Sequence, residues 1–269
     1  MLLFNLKKRI DNAELAYELF NFNENGKYSY EVKKIMKELT KKGEDFPDRQ
    51  DIFLKAIDLI ETPKTPKERF VVAKAYLWSR YPFKIKGIEK GNEYLNNELF
   101  KEEYETVVVP VNIDSTLENK KNIHIATFLH EIGSICESEY QLEDALECYN
   151  QEIKLVPYFS IGFIDKAKLL VKINKKEEAL KLLKSTRESR YYKPFSTKEY
   201  EWQTEYIDDG FKTGIEKNIK EIEEKIEKNY KYKSRPSQCK FTQEYYNRLS
   251  ELQKRYLNEY IENGLVIIE

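Results

Sequence analysis

Cysteine, histidine, glycine and proline are all scarce in this chain, at three, two, nine and eight of 269 residues. Two histidines leave little room for imidazole catalysis or a histidine-rich metal site. Cys136, Cys148 and Cys239 are an odd set without metal-type spacing. Neither a disulfide framework nor a thiolate zinc site is expected, and a reducing cytoplasm is the expected compartment. No apolar run approaches the roughly 20 residues needed to cross a bilayer. The opening Met1-Leu2-Leu3-Phe4-Asn5-Leu6-Lys7-Lys8 places its charges after its apolar stretch, the reverse of a secretory signal. Its expected role is a first helix over residues 2–22, turning Leu2, Leu3 and Leu6 inward and ending near Asn25-Gly26. An excess of one charge sign is missing too: 46 basic side chains face 47 acidic ones, for a net charge of -1. That balance argues against a dedicated DNA-binding protein.

What the chain does have is charge of both signs (35%) alongside 41% hydrophobic residues, with few breakers. Straight-chain Lys and Glu lose little rotamer freedom in a helix, so an all-α fold is expected. The chain also repeats itself. Residues 126–158 align with a segment beginning at Ser160, at an offset of 34. The phrase Gln141-Leu142-Glu143-Asp144-Ala145-Leu146-Glu147 recurs as Lys175-Lys176-Glu177-Glu178-Ala179-Leu180-Lys181.

In the first copy Leu129, Ile132, Gly133, Cys136, Ala145, Tyr149 and Pro157 follow the spacing of the tetratricopeptide pattern. Phe163, Ala167, Leu170, Ala179 and Leu183 hold the matching places in the second. On these residues the chain resembles the tetratricopeptide repeat family. The resemblance implies a superhelix (an α-solenoid) of antiparallel helix pairs, here with degenerate N-terminal pairs and C-terminal capping helices. Small residues at Gly133 and Ala145 let two helices approach closely, and Pro157 stops the second helix. Each pair leaves an apolar face that only another element can cover, so more helices must flank these two.

Residues 66–101 fit a degenerate third pair, with Val71, Ala75 and Trp78 on one helix and Gly87, Gly91 and Tyr94 on the next. Within 1–65, Tyr30–Lys41 and Asp48–Ile60 read as amphipathic helices; Phe53, Ala56, Ile57 and Ile60 share one face. Residues 102–122 interrupt the series. Their β-branched, proline-containing centre, Thr106 to Ile113, is expected to be extended and to pair with Leu265–Ile268. Residues 123–193 hold the two clear repeats and 194–233 capping helices. There Ile215, Ile219, Ile222 and Ile226 form one stripe on an otherwise charged helix. Residues 234–269 hold a break at Ser234-Arg235-Pro236-Ser237, a final helix from about Thr242 to Asn263, and a tail after Gly264.

Motifs for chemistry are missing. His130-Glu131 opens like a zinc-protease motif, but Ser134 stands where the second histidine belongs. His124 and His130 lie on different faces of one helix and are expected to face solvent or a groove. There is no phosphate loop, nucleophile elbow or kinase motif. Buried structural thiols are expected at Cys136 and Cys148. No enzyme activity, cofactor or metal is expected.

The resemblance also implies a binding surface, since the first helix of each tetratricopeptide pair lines a concave groove that holds extended or helical peptides. Its frame nominates Thr127, His130, Ser134 and Glu137, then Ile161, Ile164, Lys168 and Val171, then Arg69, Val72, Tyr76 and Arg80. Val72, His130 and Ile164 stand where carboxylate-clamp members have Lys or Asn, so that specialised function is not expected. The apolar face at Ile161, Ile164 and Val171 needs a cover, either a ligand segment or another part of the chain such as 102–122. The leading expectation is a protein- or peptide-binding scaffold with no catalysis. A peptide-sensing regulator is one alternative. The other is an RNA- or single-strand-binding scaffold that uses two basic–aromatic stretches, Arg187–Lys193 and Lys228–Arg235.

Overall fold

The computed structural model describes residues 12–41, 43–110, 113–187, 210–229, 239–264 and 266–269. It is mostly helical with two short strands. The expected inward turn of Leu2, Leu3 and Leu6, the break at Ser234–Ser237 and nearly all of the two basic–aromatic stretches lie outside the described residues. Two compact units emerge, Met1–Phe100 with Pro236–Glu269, and Lys101–Arg235.

Among the described residues the first element of the first unit is α1 (residues 12–20). It ends several residues before Asn25-Gly26, at Phe22, whose φ of 55° reverses the chain. Glu18 is buried and its carboxylate accepts the N–H groups of Lys27 and Tyr28 at 2.7 and 2.8 Å. Next come α2 (Ser29–Leu39) and α3 (Arg49–Leu59), the second started by the Asp48 side chain on the Gln50 N–H. Phe53, Ala56, Ile57 and Ile60 are all buried, as their shared face predicts.

α4 (Pro66–Leu77) opens with a capping box between Thr65 and Glu68 and a proline in its first turn. α5 (Phe83–Leu95) packs back on it. The core here is aromatic: Phe70 meets Phe20, Tyr94 and Phe100 with centroids 5.9–6.3 Å apart. Trp78 closes α4, lies 5.5 Å from Phe20 and takes the Lys74 ammonium at 4.8 Å.

The C-terminal segment completes this unit. Instead of one helix over 242–263 there are two, α12 (Gln243–Arg248) and α13 (Glu251–Glu262). Ser250 and Gln253 form a capping box that starts α13 afresh. Both side chains also donate to Asp58 of α3, at 2.9 and 3.1 Å, so the break is held by a residue nearly two hundred positions upstream. The tail strand β2 (Val266–Ile268) pairs in parallel with β1 (Cys239–Phe241), not with Thr106–Ile113. Backbone bonds from Gln243 to Glu269 and from Glu269 to Phe241 extend that pairing.

In the second unit, residues 102–122 are not one irregular insert. α6 (Lys101–Glu105) precedes a non-helical stretch, and α7 (Leu117–Ser138) starts early because Thr116 caps it. Val107, Val109 and Ile113 pack on Ile123, Ala126, Val156 and Tyr158, satisfying the β-branched run by side-chain packing. Then come α8 (Leu142–Leu155), α9 (Ser160–Lys172) and α10 (Lys176–Arg187).

The 34-residue offset holds at the level of single hydrogen bonds. Tyr140 and Asn174 carry φ of 61° and 65°. Gln141 N–H donates to Cys136 C=O and Lys175 N–H to Leu170 C=O, while Tyr140 and Asn174 donate to Glu137 and Val171. Both turns are therefore the same Schellman motif, built without glycine. α11 (Gly210–Glu227) lays Ile215, Ile219 and Ile222 on Ile164, Ala167, Val171, Ala179 and Leu183, with Ile226 partly buried beside them. The isoleucine stripe is the cover that the apolar face of α9 needs; the 102–122 segment packs elsewhere.

Close helix approach in the first unit rests on Gly87. A Cβ there would lie 2.9 Å from the Leu77 Cα and N, backbone that cannot swing aside. Gly87→Ala gains up to about 1 kcal/mol in helix propensity but overpacks by about 1–3 kcal/mol. The expected result is a net loss of about 1–2 kcal/mol, read as a lower urea midpoint at unchanged m. A raised midpoint would mean that α4 and α5 separate without cost.

Candidate functional site

The nominated positions separate into exposed, half-buried and buried groups. Thr127, Ser134, Lys168, Ile161 and Arg80 are exposed. His130, Glu137 and Arg69 are half-buried. Tyr76 and Ile164 are buried, as are Val72 and Val171, so none of these four offers a face to a partner. Tyr76 is covered by Tyr256 of α13, with centroids 6.2 Å apart, and Ile164 by the α11 stripe. Arg80 pairs with Asp48 at 3.0 Å and Arg69 donates to the Lys64 carbonyl at 2.8 Å, both within the first unit. His124, expected to be accessible, is instead buried against Phe128 and Tyr104.

The second unit brings the remaining polar positions together. Gly133 has no Cβ, and one built there would lie 2.9 Å from the Tyr149 ring and 3.0 Å from the Cys148 Cβ. α7 and α8 therefore touch at backbone distance, which carries Glu152, one turn beyond Tyr149, up to His130. The His130 Nδ1 lies 3.3 Å from a Glu152 carboxylate oxygen and 3.8 Å from Asp165 of α9. Glu152 is only 3% exposed. Gly162 gives α9 room over it, since a Cβ there would meet the Glu152 carboxylate carbon at 3.0 Å.

One helical turn pair further along, Glu137 takes the Lys172 ammonium at 2.9 Å and the Tyr149 hydroxyl at 3.1 Å. His130–Asp165 and Glu137–Lys172 advance by seven residues on each helix. α7 and α9 therefore run side by side in the same direction, joined by two ion pairs. Lys168, between them on α9, is bound to Asp165 at 3.2 Å and keeps its ammonium in water.

The electrostatics follow from burial and pairing. Glu152 beside it, by hydrogen bond and charge, raises the His130 imidazole above its ordinary value against the opposing effect of burial; Asp165 adds to the rise. Burial first, and then the neighbouring Glu137, Asp165 and Glu152, push the Tyr149 phenol up as well. Burial raises the Cys136 and Cys148 thiols to about 12 and about 11, so neither is a nucleophile at neutral pH. Among the described residues no group of three or more His, Cys, Asp or Glu side chains is arranged to hold a metal ion. The surface can donate and accept hydrogen bonds and present an ammonium along two parallel helices.

Glu152, Asp165 and Lys172 were not among the nominated residues. Glu152 carried a signal: with Ala145, Cys148, Tyr149 and Val156 it falls on the buried stripe of α8, where a charge demands a partner. No family model matches the chain, and no curated protein and no solved structure proves similar to it. Among the described residues no helix is long and apolar enough to cross a membrane.

The raised imidazole fixes a sign. A histidine whose folded value exceeds its unfolded value adds stability that is complete below about pH 6.5 and lost as pH rises through the folded value. His130→Gln is expected to cost about 1–3 kcal/mol at pH 6, with the gap to the parent narrowing toward pH 9. Thermal melts of both proteins from pH 5.5 to 9 check this; parallel curves would show that His130 does not titrate with Glu152.

Proposed function

We propose that the chain is a non-catalytic helical-repeat scaffold of tetratricopeptide type that holds an extended protein or peptide segment along α7 and α9. The observation that carries this reading is the parallel α7–α9 register. It sets exposed Thr127, Ser134 and Lys168 around the His130–Glu152–Asp165 cluster. Two parallel helices at fixed spacing offer side-chain donors at regular intervals. Because the ion pairs already hold them in place, little side-chain entropy is lost on binding. The identical Schellman turns at a 34-residue offset and the isoleucine cap on α9 and α10 support a repeat architecture. Arg69, Tyr76 and Arg80 belong to the first unit and have no part in this surface. Buried, protonated thiols at Cys136 and Cys148 support a structural role for both cysteines within the repeat.

The test is a pull-down with the tagged full chain from a lysate of its native host, with and without nuclease. The expected result is a protein recovered in both arms, with Lys168→Glu and Ser134→Arg each lowering its affinity about tenfold, the loss of one good polar contact of about 1.4 kcal/mol. Recovery of nucleic acid alone, abolished by nuclease, would transfer the function to the basic–aromatic stretches. Undiminished binding by the double variant would remove the α7–α9 face from the interface.

A further inference from the structure

The first unit contains a cleft of about 470 Å³ that the α7–α9 surface has no part in. One wall is the face of α3 that carries Asp51, Lys55 and Asp58. The others are the end of α2 with Lys41, and α12 with Tyr245 and Arg248. The volume lies in the range of small-molecule sites. Its floor includes Leu54 and Leu249, both buried.

The charges around this cleft fall into two sets. Here Lys41, Lys55 and Arg248 face Glu38, Asp51 and Asp58, and among the described residues no ion pair joins the two sets. Asp58 accepts hydrogen bonds from Ser250 and Gln253, which aim it at the cleft without neutralising it. Asp51 accepts no side-chain hydrogen bond among the described residues, although it is only half exposed to water. Burial first, then Asp48, raise the Asp51 carboxyl above its ordinary range, and burial raises Asp58. Asp51, Lys55 and Asp58 are half-buried, while Glu38, Lys41 and Arg248 are exposed; Glu38 reaches Lys34 at 4.0 Å and Arg248 stands over the Tyr245 ring. Holding the half-buried Asp51 carboxylate without a hydrogen bond or ion pair costs free energy.

Three cations against three carboxylates suit neither a simple anion nor a simple cation. A ligand with an opposite charge at each end would bridge the walls and satisfy both. We propose that this cleft binds a small zwitterion of the α-amino acid class, free or as a di- or tripeptide, its ammonium on Asp51 and Asp58 and its carboxylate on Arg248 and Lys41. The site goes beyond the scaffold reading and stands or falls separately from it.

The full chain is screened by thermal shift against each common L-amino acid, glycylglycine and triglycine at about 10 mM, roughly ten times a weak Kd of about 1 mM. The best probe is then titrated calorimetrically beside its N-acetylated and C-amidated forms. The expected result is a rise in Tm of a few degrees with at least one probe, lost when either end is blocked. Asp51→Asn and Arg248→Gln are each expected to weaken binding at least tenfold with unchanged far-UV circular dichroism. Apo Asp51→Asn is expected to melt at or above the parent, because an unpaired part-buried carboxylate is gone; a carboxylate with a purely structural role would give the reverse. A peptide that shifts Tm where single amino acids do not identifies the chain-end form of the same ligand. Failure of every probe, equal binding by the blocked forms, or binding that survives in both variants would overturn the proposal.

Discussion

At Gly133 two helices meet with no side chain between them, and the Tyr149 ring and the Cys148 Cβ fill the space where a Cβ would stand. The geometry of the second unit depends on that contact. Tyr149 is pinned under α7, so its hydroxyl meets Glu137, and the residue one turn on, Glu152, arrives beneath His130. Gly162 repeats the device on the other side, allowing α9 to settle over the same carboxylate and bring Asp165 within reach. Two glycines thus convert a buried charge, which alone would be a severe liability, into the junction of three helices. The ion pairs do not create the helix spacing; they are possible because glycine set it.

A second constraint is that a helix pair cannot bury its own outer face. The second unit meets it at both ends with elements of different kind. α11 brings four isoleucines at spacings of four, three and four, one stripe against α9 and α10, flanked by Glu216 and Glu223 paired with Arg187 and Lys184 of α10. At the opposite end a β-branched segment with no helical period packs Val107, Val109 and Ile113 on the start of α7 and the end of α8. In the first unit the covering element is distant in sequence: α13 lays Tyr256 on Tyr76 and Phe83.

That distinction separates what could be read in the sequence from what could not. Helix existence, the 34-residue repeat, the small residues at close contacts and the isoleucine stripe are local patterns, and local periodicity records them faithfully. Tyr76 and Ile164 sit at positions that a repeat frame turns outward. Their burial depends on partners 180 and about fifty residues later, which no local pattern encodes. The helix break at Leu249-Ser250 belongs to the same kind, because the capping serine also answers to Asp58. The tail strand pairs with Cys239–Phe241, another partner that no local pattern marks. The turns at Tyr140 and Asn174 were hidden for another reason. A tyrosine at positive φ contradicts residue preference, and the bonds from Tyr140 N–H to Glu137 and from Gln141 N–H to Cys136, with the Lys172 ammonium over the Tyr140 ring, hold it there.

Charge satisfaction is local in both units. Between α7 and α9, His130 meets Glu152 and Asp165, and Glu137 meets Lys172 and the Tyr149 hydroxyl, while half-buried Lys166 of α9 has no ion pair among the described residues. The ion pairs hold the two helices in register, and Thr127, Ser134 and Lys168 stay exposed around them. Around the cleft of the first unit, Asp51 and Arg248 are near enough to influence one another electrostatically yet form no pair, with open volume between the walls. Half-buried Asp51, which has no hydrogen bond or ion pair to its carboxylate among the described residues, carries a cost in the unliganded state, and a bound zwitterion is what would return it.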